Sequence, residues 1–150
     1  MTLRDQVLEF HLAMNVPADA ARPTLIADER VRLRAALIAE EFFETMRAMF
    51  GAYGAGLEEA ERLVTNGIRF NSVHVNMVEL ADGMADLDYV VEGTRLEFGI
   101  DGGPIADEVH RANMAKAGGP VAPNGKRLKP EGWTPPDIEG VLRRQGYGAI

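Results

Sequence analysis

Apolar residues recur three and four positions apart along most of this chain, and nothing alternates convincingly at period two. Leu3, Val7, Phe10 and Met14 line one face of a first helix expected from about Thr2 to Asn15, with Thr2 and Asp5 spaced as a capping box and Pro17 ending it. A loop through Pro23 leads to Asp28, read as the N-cap of a long second helix reaching Phe50, after which Gly51, Gly54 and Gly56 break the pattern. The acidic segment from Leu57 to Val64 reads as a short helix stopped by Gly67. A further long helix is expected from Ser72 to Phe98 with Gly99 as its cap, then one with Pro104 in its first turn that ends near Lys116. From Gly118 to Pro136 the chain is too rich in Gly and Pro for a regular element, and Asp137 is placed to cap a last short helix to about Gln145. The pattern predicts an all-α fold, a bundle of four to five helices with an extended C-terminal tail.

Carboxylates interrupt two of these apolar stripes. Leu33 and Leu37 run at helical spacing into Glu41 and Glu44, and Val75 leads into Glu79, Asp82 and Asp86 and then to Tyr89, Val90 and Gly93. At about 3.6 residues per turn, Glu40 and Glu41 sit one turn before Glu44, while Glu79, Asp82 and Asp86 stack along one line. These acids hold positions expected to face the core, beside a parallel apolar line of Met77, Leu80, Met84, Leu87 and Val91. Like charges so placed repel, and a helix tolerates them in water or around a cation. A solvated charged face is the ordinary explanation; the apolar context favours a hard divalent ion, for which oxygen ligands suit Mg²⁺ or Mn²⁺.

Composition narrows the setting. A chain of 150 residues with 46% apolar residues is long enough for one domain with its own core. It has no cysteine, which excludes disulfides, thiolate zinc sites and cysteine nucleophiles and fits a reducing compartment. The apolar runs are too short to span a bilayer, and Arg4, Asp5 and Glu9 interrupt any signal-peptide-like start, so a soluble, cytoplasmic protein is expected, with no membrane partner. A net charge of −7 disfavours a polynucleotide surface, though a small anion can still be held locally by metal and a few cations.

Among metal-carboxylate classes, a di-iron bundle needs Glu-x-x-His, and His11, His74 and His110 do not stand three residues after a cluster Glu. A calcium loop needs its acids on a loop with a central Gly, whereas these are on helices. An Mg²⁺ or Mn²⁺ site between two helices remains, and such sites commonly handle phosphates.

Glu40-Glu41-Phe42-Phe43-Glu44, followed by a second acidic helix, resembles the Glu-Glu-x-x-Glu and Glu-x-x-Asp pair of the MazG-like all-α nucleoside triphosphate pyrophosphatases, which include phosphoribosyl-ATP pyrophosphohydrolase and dimeric dUTPases. Phe10-His11, Phe98-Gly99-Ile100-Asp101, the run from Glu108 to Lys116, Asn124-Gly125-Lys126 and the run from Leu128 to Trp133 resemble a bacterial and viral branch of the same superfamily. The likeness covers most of the chain and is weakest between Gly51 and Ser72. The pattern departs in one place: Gly83 stands where the second motif's Glu is expected three residues before Asp86, and a literal Glu-x-x-Asp lies one turn earlier as Glu79 and Asp82. We favour Asp82 and Asp86 as inner ligands, with Glu79 as an outer-sphere or second-metal residue.

The resemblance implies a metal-dependent hydrolase that turns a (deoxy)nucleoside triphosphate and water into the monophosphate and pyrophosphate. Glu41, Glu44, Asp82 and Asp86 would hold two or three Mg²⁺ or Mn²⁺ ions, and Glu40 would orient or deprotonate the water or hold a further ion. Asn113 and Lys116 match the triphosphate-contacting Asn-x-x-Lys. Lys126, Arg127 and Lys129 are candidates for closing on phosphates from the tail or from a neighbouring subunit; His11 and Asn15 are candidates for base or sugar contacts, as are Asn71 and Asn76. Trp133 is expected to anchor the tail to the bundle. The resemblance also implies a homo-oligomer, a dimer or a tetramer, and (d)GTP as the leading substrate. The alternatives are a dUTPase-like house-cleaning role, a nucleotide- or metal-binding module without turnover, and an inert helical oligomerisation domain.

Overall fold

The computed structural model describes residues 1–18, 22–51, 55–117, 119–122 and 127–148. Six helices follow one another: α1 (Leu3–Ala13), α2 (Asp28–Phe50), α3 (Ala55–Phe70), α4 (Met77–Phe98), α5 (Gly102–Met114) and α6 (Ile138–Arg144). Among the described residues there is no strand, only an isolated antiparallel bridge between Val121 and Arg127. The all-α reading of the periodicity is therefore met. The chain divides into two compact units, Arg22–Ala81 and Met1–Ala21 with Asp82–Ile150.

In the first of these units α2 and α3 pack on one another. Phe43 is buried there, edge-on to Phe42 with ring centres 5.1 Å apart. Arg47 of α2 pairs with Glu61 of α3. The N-cap of α2 is Ala27, with no side-chain capping bond, and Asp28 is already helical. Its charge and that of Glu29 complement the helix dipole in place of a cap. Helix α3 extends past Gly67, where the sequence suggested a stop. Arg32 supplies the reason: its guanidinium donates to the carbonyl oxygens of Ile68 and Asn71, the latter at 2.7 Å, and holds the last turn closed against the weak propensity of glycine.

Helix α4 begins at Met77, five residues later than the pattern suggested, because Asn76 acts as the cap. Its Oδ1 accepts from the amides of Val78 at 3.1 Å and Glu79 at 3.3 Å. The far end closes as expected at Gly99, whose φ of 67° suits glycine, with the Ile100 amide bonded to the Arg95 carbonyl at 2.8 Å. No residue of α4 is buried. Both its acidic line and its apolar line, including Leu80, Met84, Leu87 and Val91, lie exposed. The expectation that these acids face a core is thus not met within the single chain.

In the other unit α1 and α5 pack together, and α6 packs on α5. The capping box of α1 forms as predicted: the Asp5 amide donates to Thr2 Oγ1 at 3.2 Å and the Thr2 amide to Asp5 Oδ2 at 2.9 Å. The bonds from Thr2 hold the Asp5 carboxyl below the usual carboxylate range. Gln6 is buried and donates to Asp107 at 2.5 Å, while His110 Nε2 lies 3.1 Å from Glu9 Oε2. Asp101 caps α5 through the Gly103 amide, which starts that helix two residues before Pro104. Asp137 caps α6 as expected, and its own amide donates to Glu108 of α5 at 2.8 Å. Bonds from Arg111 and then from the Asp137 amide pull the Glu108 carboxyl down to about 2.

Candidate metal and phosphate sites

Glu40, Glu41 and Glu44 all lie on α2, exposed, and the spacing of one turn puts Glu40 and Glu44 on a common line. Glu40 also borders a cleft of about 170 Å³ between α2 and α3, lined by Ala36, Ala39, Phe43, Thr65 and Ile68. Glu79 stands in the first turn of α4, in the same unit. Asp82 and Asp86 follow one turn apart on α4, exposed, in the other unit. Taken by itself, neither unit brings three or more His, Asp or Glu side chains into one metal-sized group among the described residues.

The acids divide by whether they have a cationic partner, and Asp28, Glu29, Glu58, Asp88, Glu97 and Glu131 have none among the described residues. Glu59, Glu61, Glu92, Glu108 and Glu139 each pair with an arginine. Glu41, Glu44, Glu79, Asp82 and Asp86 have no Arg, Lys or His partner among the described residues. A set of hard oxygen donors with uncompensated charge fits Mg²⁺ or Mn²⁺.

At the end of α5, Lys116 Nζ donates to Asn113 Oδ1 at 2.8 Å, so the two halves of the Asn-x-x-Lys motif meet. Lys116 itself lies just past the helix, in the turn that follows Met114. Trp133 anchors the tail as expected, its indole N–H donating to the Ala112 carbonyl at 2.7 Å. The ammonium groups of Lys129 and Lys116 lie 4.4 Å and 5.8 Å from the centre of that ring, an arrangement the sequence reading did not foresee. The sequence does carry a signal: Lys116, Lys126 and Lys129 are the chain's three lysines, and all of them closely precede its single tryptophan. Arg127 donates to the Gly119 carbonyl at 3.0 Å, which gives it a part in folding the tail. Lys126 falls outside the described residues.

His11 lines a second cleft, of about 230 Å³, with Arg4, Val7, Leu8, Pro17 and Ala18. Its Nδ1 lies 2.9 Å from the Pro17 carbonyl oxygen, which fixes the proton on that nitrogen and turns Nε2 into the acceptor of the neutral ring. Asn15 adopts a φ of 54° just past α1, a left-handed conformation that asparagine tolerates at a helix end. His11 and Asn15 thus sit at or just beyond one end of α1, while the Asn76 side chain caps α4 and the backbone carbonyl of Asn71 accepts from Arg32.

An all-helical chain with these motifs is a member of the MazG-like all-α superfamily, of pyrophosphohydrolase-like type. Residues 7–113 match the phosphoribosyl-ATP pyrophosphohydrolase family model, and the chain belongs to that family. The match runs from α1 to Asn113, so it takes in all the candidate metal-holding acids of α2 and α4 and leaves out Lys116 and the whole tail. No curated protein matches the chain. No helix among the described residues is long and apolar enough to cross a membrane.

Proposed function

We propose that this protein is a metal-dependent nucleoside triphosphate pyrophosphohydrolase that releases a nucleoside monophosphate and pyrophosphate. The observation that carries the reading is the one-turn spacing of Glu41 with Glu44 on α2 and of Glu79, Asp82 and Asp86 on α4, five carboxylates without a cationic partner among the described residues, inside the region matched to the family. Glu41, Glu44, Asp82 and Asp86 are the residues to hold Mg²⁺ or Mn²⁺, two or three ions in all, with Glu79 in a supporting place. When bound, such ions neutralise phosphate oxygens and sharpen a water nucleophile.

The chain's own groups divide the remaining work. Glu40 accepts the proton of the attacking water; the water oxygen bonds to the α-phosphorus in line as the bond to the bridging α–β oxygen breaks, and pyrophosphate leaves with that oxygen. Asn113 and Lys116 bind the phosphate chain, with Arg127, Lys126 and Lys129 as further cations from the tail. His11 and Asn15 contact sugar or base.

(d)GTP is the proposed preferred substrate, on the likeness of the C-terminal half to the viral branch. Phosphoribosyl-ATP is the second reading, favoured by the family match itself. A homo-oligomer, dimer or tetramer, accompanies the activity: association of two copies would cover the apolar line of α4, whose Leu80, Met84 and Val91 are 46%, 52% and 46% exposed. Phosphorus NMR of the products with Mg²⁺ or Mn²⁺ tests the reaction across dGTP, GTP, dUTP, dCTP, dATP and phosphoribosyl-ATP. Monophosphate and pyrophosphate are expected, and a nucleoside diphosphate with orthophosphate would overturn the reading.

A further inference from the structure

The C-terminal tail, outside the family match, is folded to a defined geometry where it meets the end of α5. Leu128 donates to the Pro120 carbonyl at 2.8 Å beside the bridge between Val121 and Arg127. Gly119 permits this approach: a Cβ there would stand 2.2 Å from the Leu128 carbonyl oxygen. Residues Pro130 to Trp133 then close a turn, with the Trp133 amide bonded to the Pro130 carbonyl at 3.2 Å and Gly132 at φ 76°, the conformation a type II turn requires of its third residue. Leu128 and Lys129 are held between bridge and turn. The indole of Trp133, tied to Ala112, lies beside both Lys129 and Lys116.

From this geometry we infer that Trp133 is a positioning residue which holds Lys129 beside Lys116, and that the pair grips a diphosphate group, the β,γ end of the substrate or the pyrophosphate product. Two cations are gathered at one aromatic ring in a chain of net charge −7, and among the described residues Lys129 has no carboxylate partner. The exposed Lys129 ammonium gains little from the ring and keeps donors directed to solvent. An anion on the outer side therefore adds bonds without displacing the cation from the ring. Diphosphate suits the pair because its charge is spread over two phosphoryl groups, one for each ammonium. The identity of the anion rests on the pyrophosphohydrolase reading; the grip itself rests on the tail.

The test uses the full-length protein, chelator to remove divalent metal, and inorganic pyrophosphate as the probe. Calorimetry should show pyrophosphate binding, and the fluorescence of the single tryptophan should change with saturation. Lys129→Gln should weaken binding roughly tenfold and abolish the fluorescence change while leaving the thermal midpoint unchanged. Trp133→Phe, which keeps a ring but loses the N–H, should weaken binding less than Lys129→Gln. Pyrophosphate affinity equal to wild type in both variants would overturn the inference, as would an equal response to sulfate at matched ionic strength. The two readings fail separately. Turnover of triphosphates with no role for Lys129 sinks the grip alone; Lys129-dependent binding of pyrophosphate without turnover sinks the proposed activity alone.

Discussion

Arg32→Met removes a guanidinium that ties the end of α3 to α2 while keeping a side chain of similar length. Two charge-assisted bonds are lost, to the carbonyls of Ile68 and Asn71, the first partly buried and the second exposed. A bond to a charged group contributes about 1.5–3 kcal/mol when shielded from water, and a cation at an exposed helix C-terminus about 0.3–1 kcal/mol. One bond nearer each limit gives a destabilisation of about 2 kcal/mol, reduced in Arg32→Lys, which retains the charge without the fork. Urea denaturation followed by far-ultraviolet circular dichroism, at fixed protein concentration, measures it. Gly67→Ala supplies an internal check, since the added Cβ meets only Asn71 Nδ2 at 3.6 Å and should stabilise by about 0.5–1 kcal/mol. That gain should be smaller in the Arg32→Met background, where the last turn of α3 frays more readily and the added helix propensity is only partly realised. If Arg32→Met costs less than about 0.5 kcal/mol, or if Gly67→Ala gives the same gain in both backgrounds, Arg32 does not hold the end of α3.

Phe43→Ala should destabilise by about 3 kcal/mol, the low end for a buried phenylalanine because the adjoining cleft of about 170 Å³ is open to water, and chemical denaturation reads the loss. Glu44→Ala or Asp86→Ala should abolish turnover and raise the stability of the metal-free protein by a few tenths of a kcal/mol, since repulsion between like charges one turn apart is relieved. Glu79→Ala should impair turnover less; the reverse order in kcat would assign the inner ligands to Glu79 and Asp82. Because the folded-state Glu108 carboxyl is depressed from 4.5 to about 2, its contribution to stability is complete above the higher value and is lost as pH falls toward the lower one. Thermal midpoints across that window should fall more for wild type than for Glu108→Gln, and identical slopes would show that the bonds from Arg111 and the Asp137 amide do not matter to the fold.

Local rules were legible where a single residue type decides the geometry. The capping box of Thr2 and Asp5, the glycine at 99 and the Asp137 cap are set by short-range bonds, and each stands where the pattern put it. The misplaced boundaries share a cause: the deciding partner lies elsewhere in sequence or competes within a few residues. Gly67 reads as a stop until Arg32, far upstream, closes the turn around it. Ser72 and Asn76 are both good caps, and only the backbone decides for Asn76. The acids on α4 were expected to face a core because apolar residues share their stripe, yet both lines lie exposed in one chain. Periodicity reports which faces avoid water and is silent on whether metal, substrate or a second copy covers them. The lysines around Trp133 were legible as residues and illegible as a cluster, because the turn at Pro130 to Trp133 brings them together.

The proposed activity turns on attack by water at the α-phosphorus of a nucleoside triphosphate, with acids on α2 and α4 to hold the metal. Hydrolysis of dGTP in heavy-oxygen water with Mg²⁺ or Mn²⁺, followed by mass spectrometry of both products, addresses it directly. The label should enter the nucleoside monophosphate, pyrophosphate should remain unlabelled, and Glu44→Ala should yield neither product. Label in pyrophosphate, or turnover that survives Glu44→Ala, would contradict it.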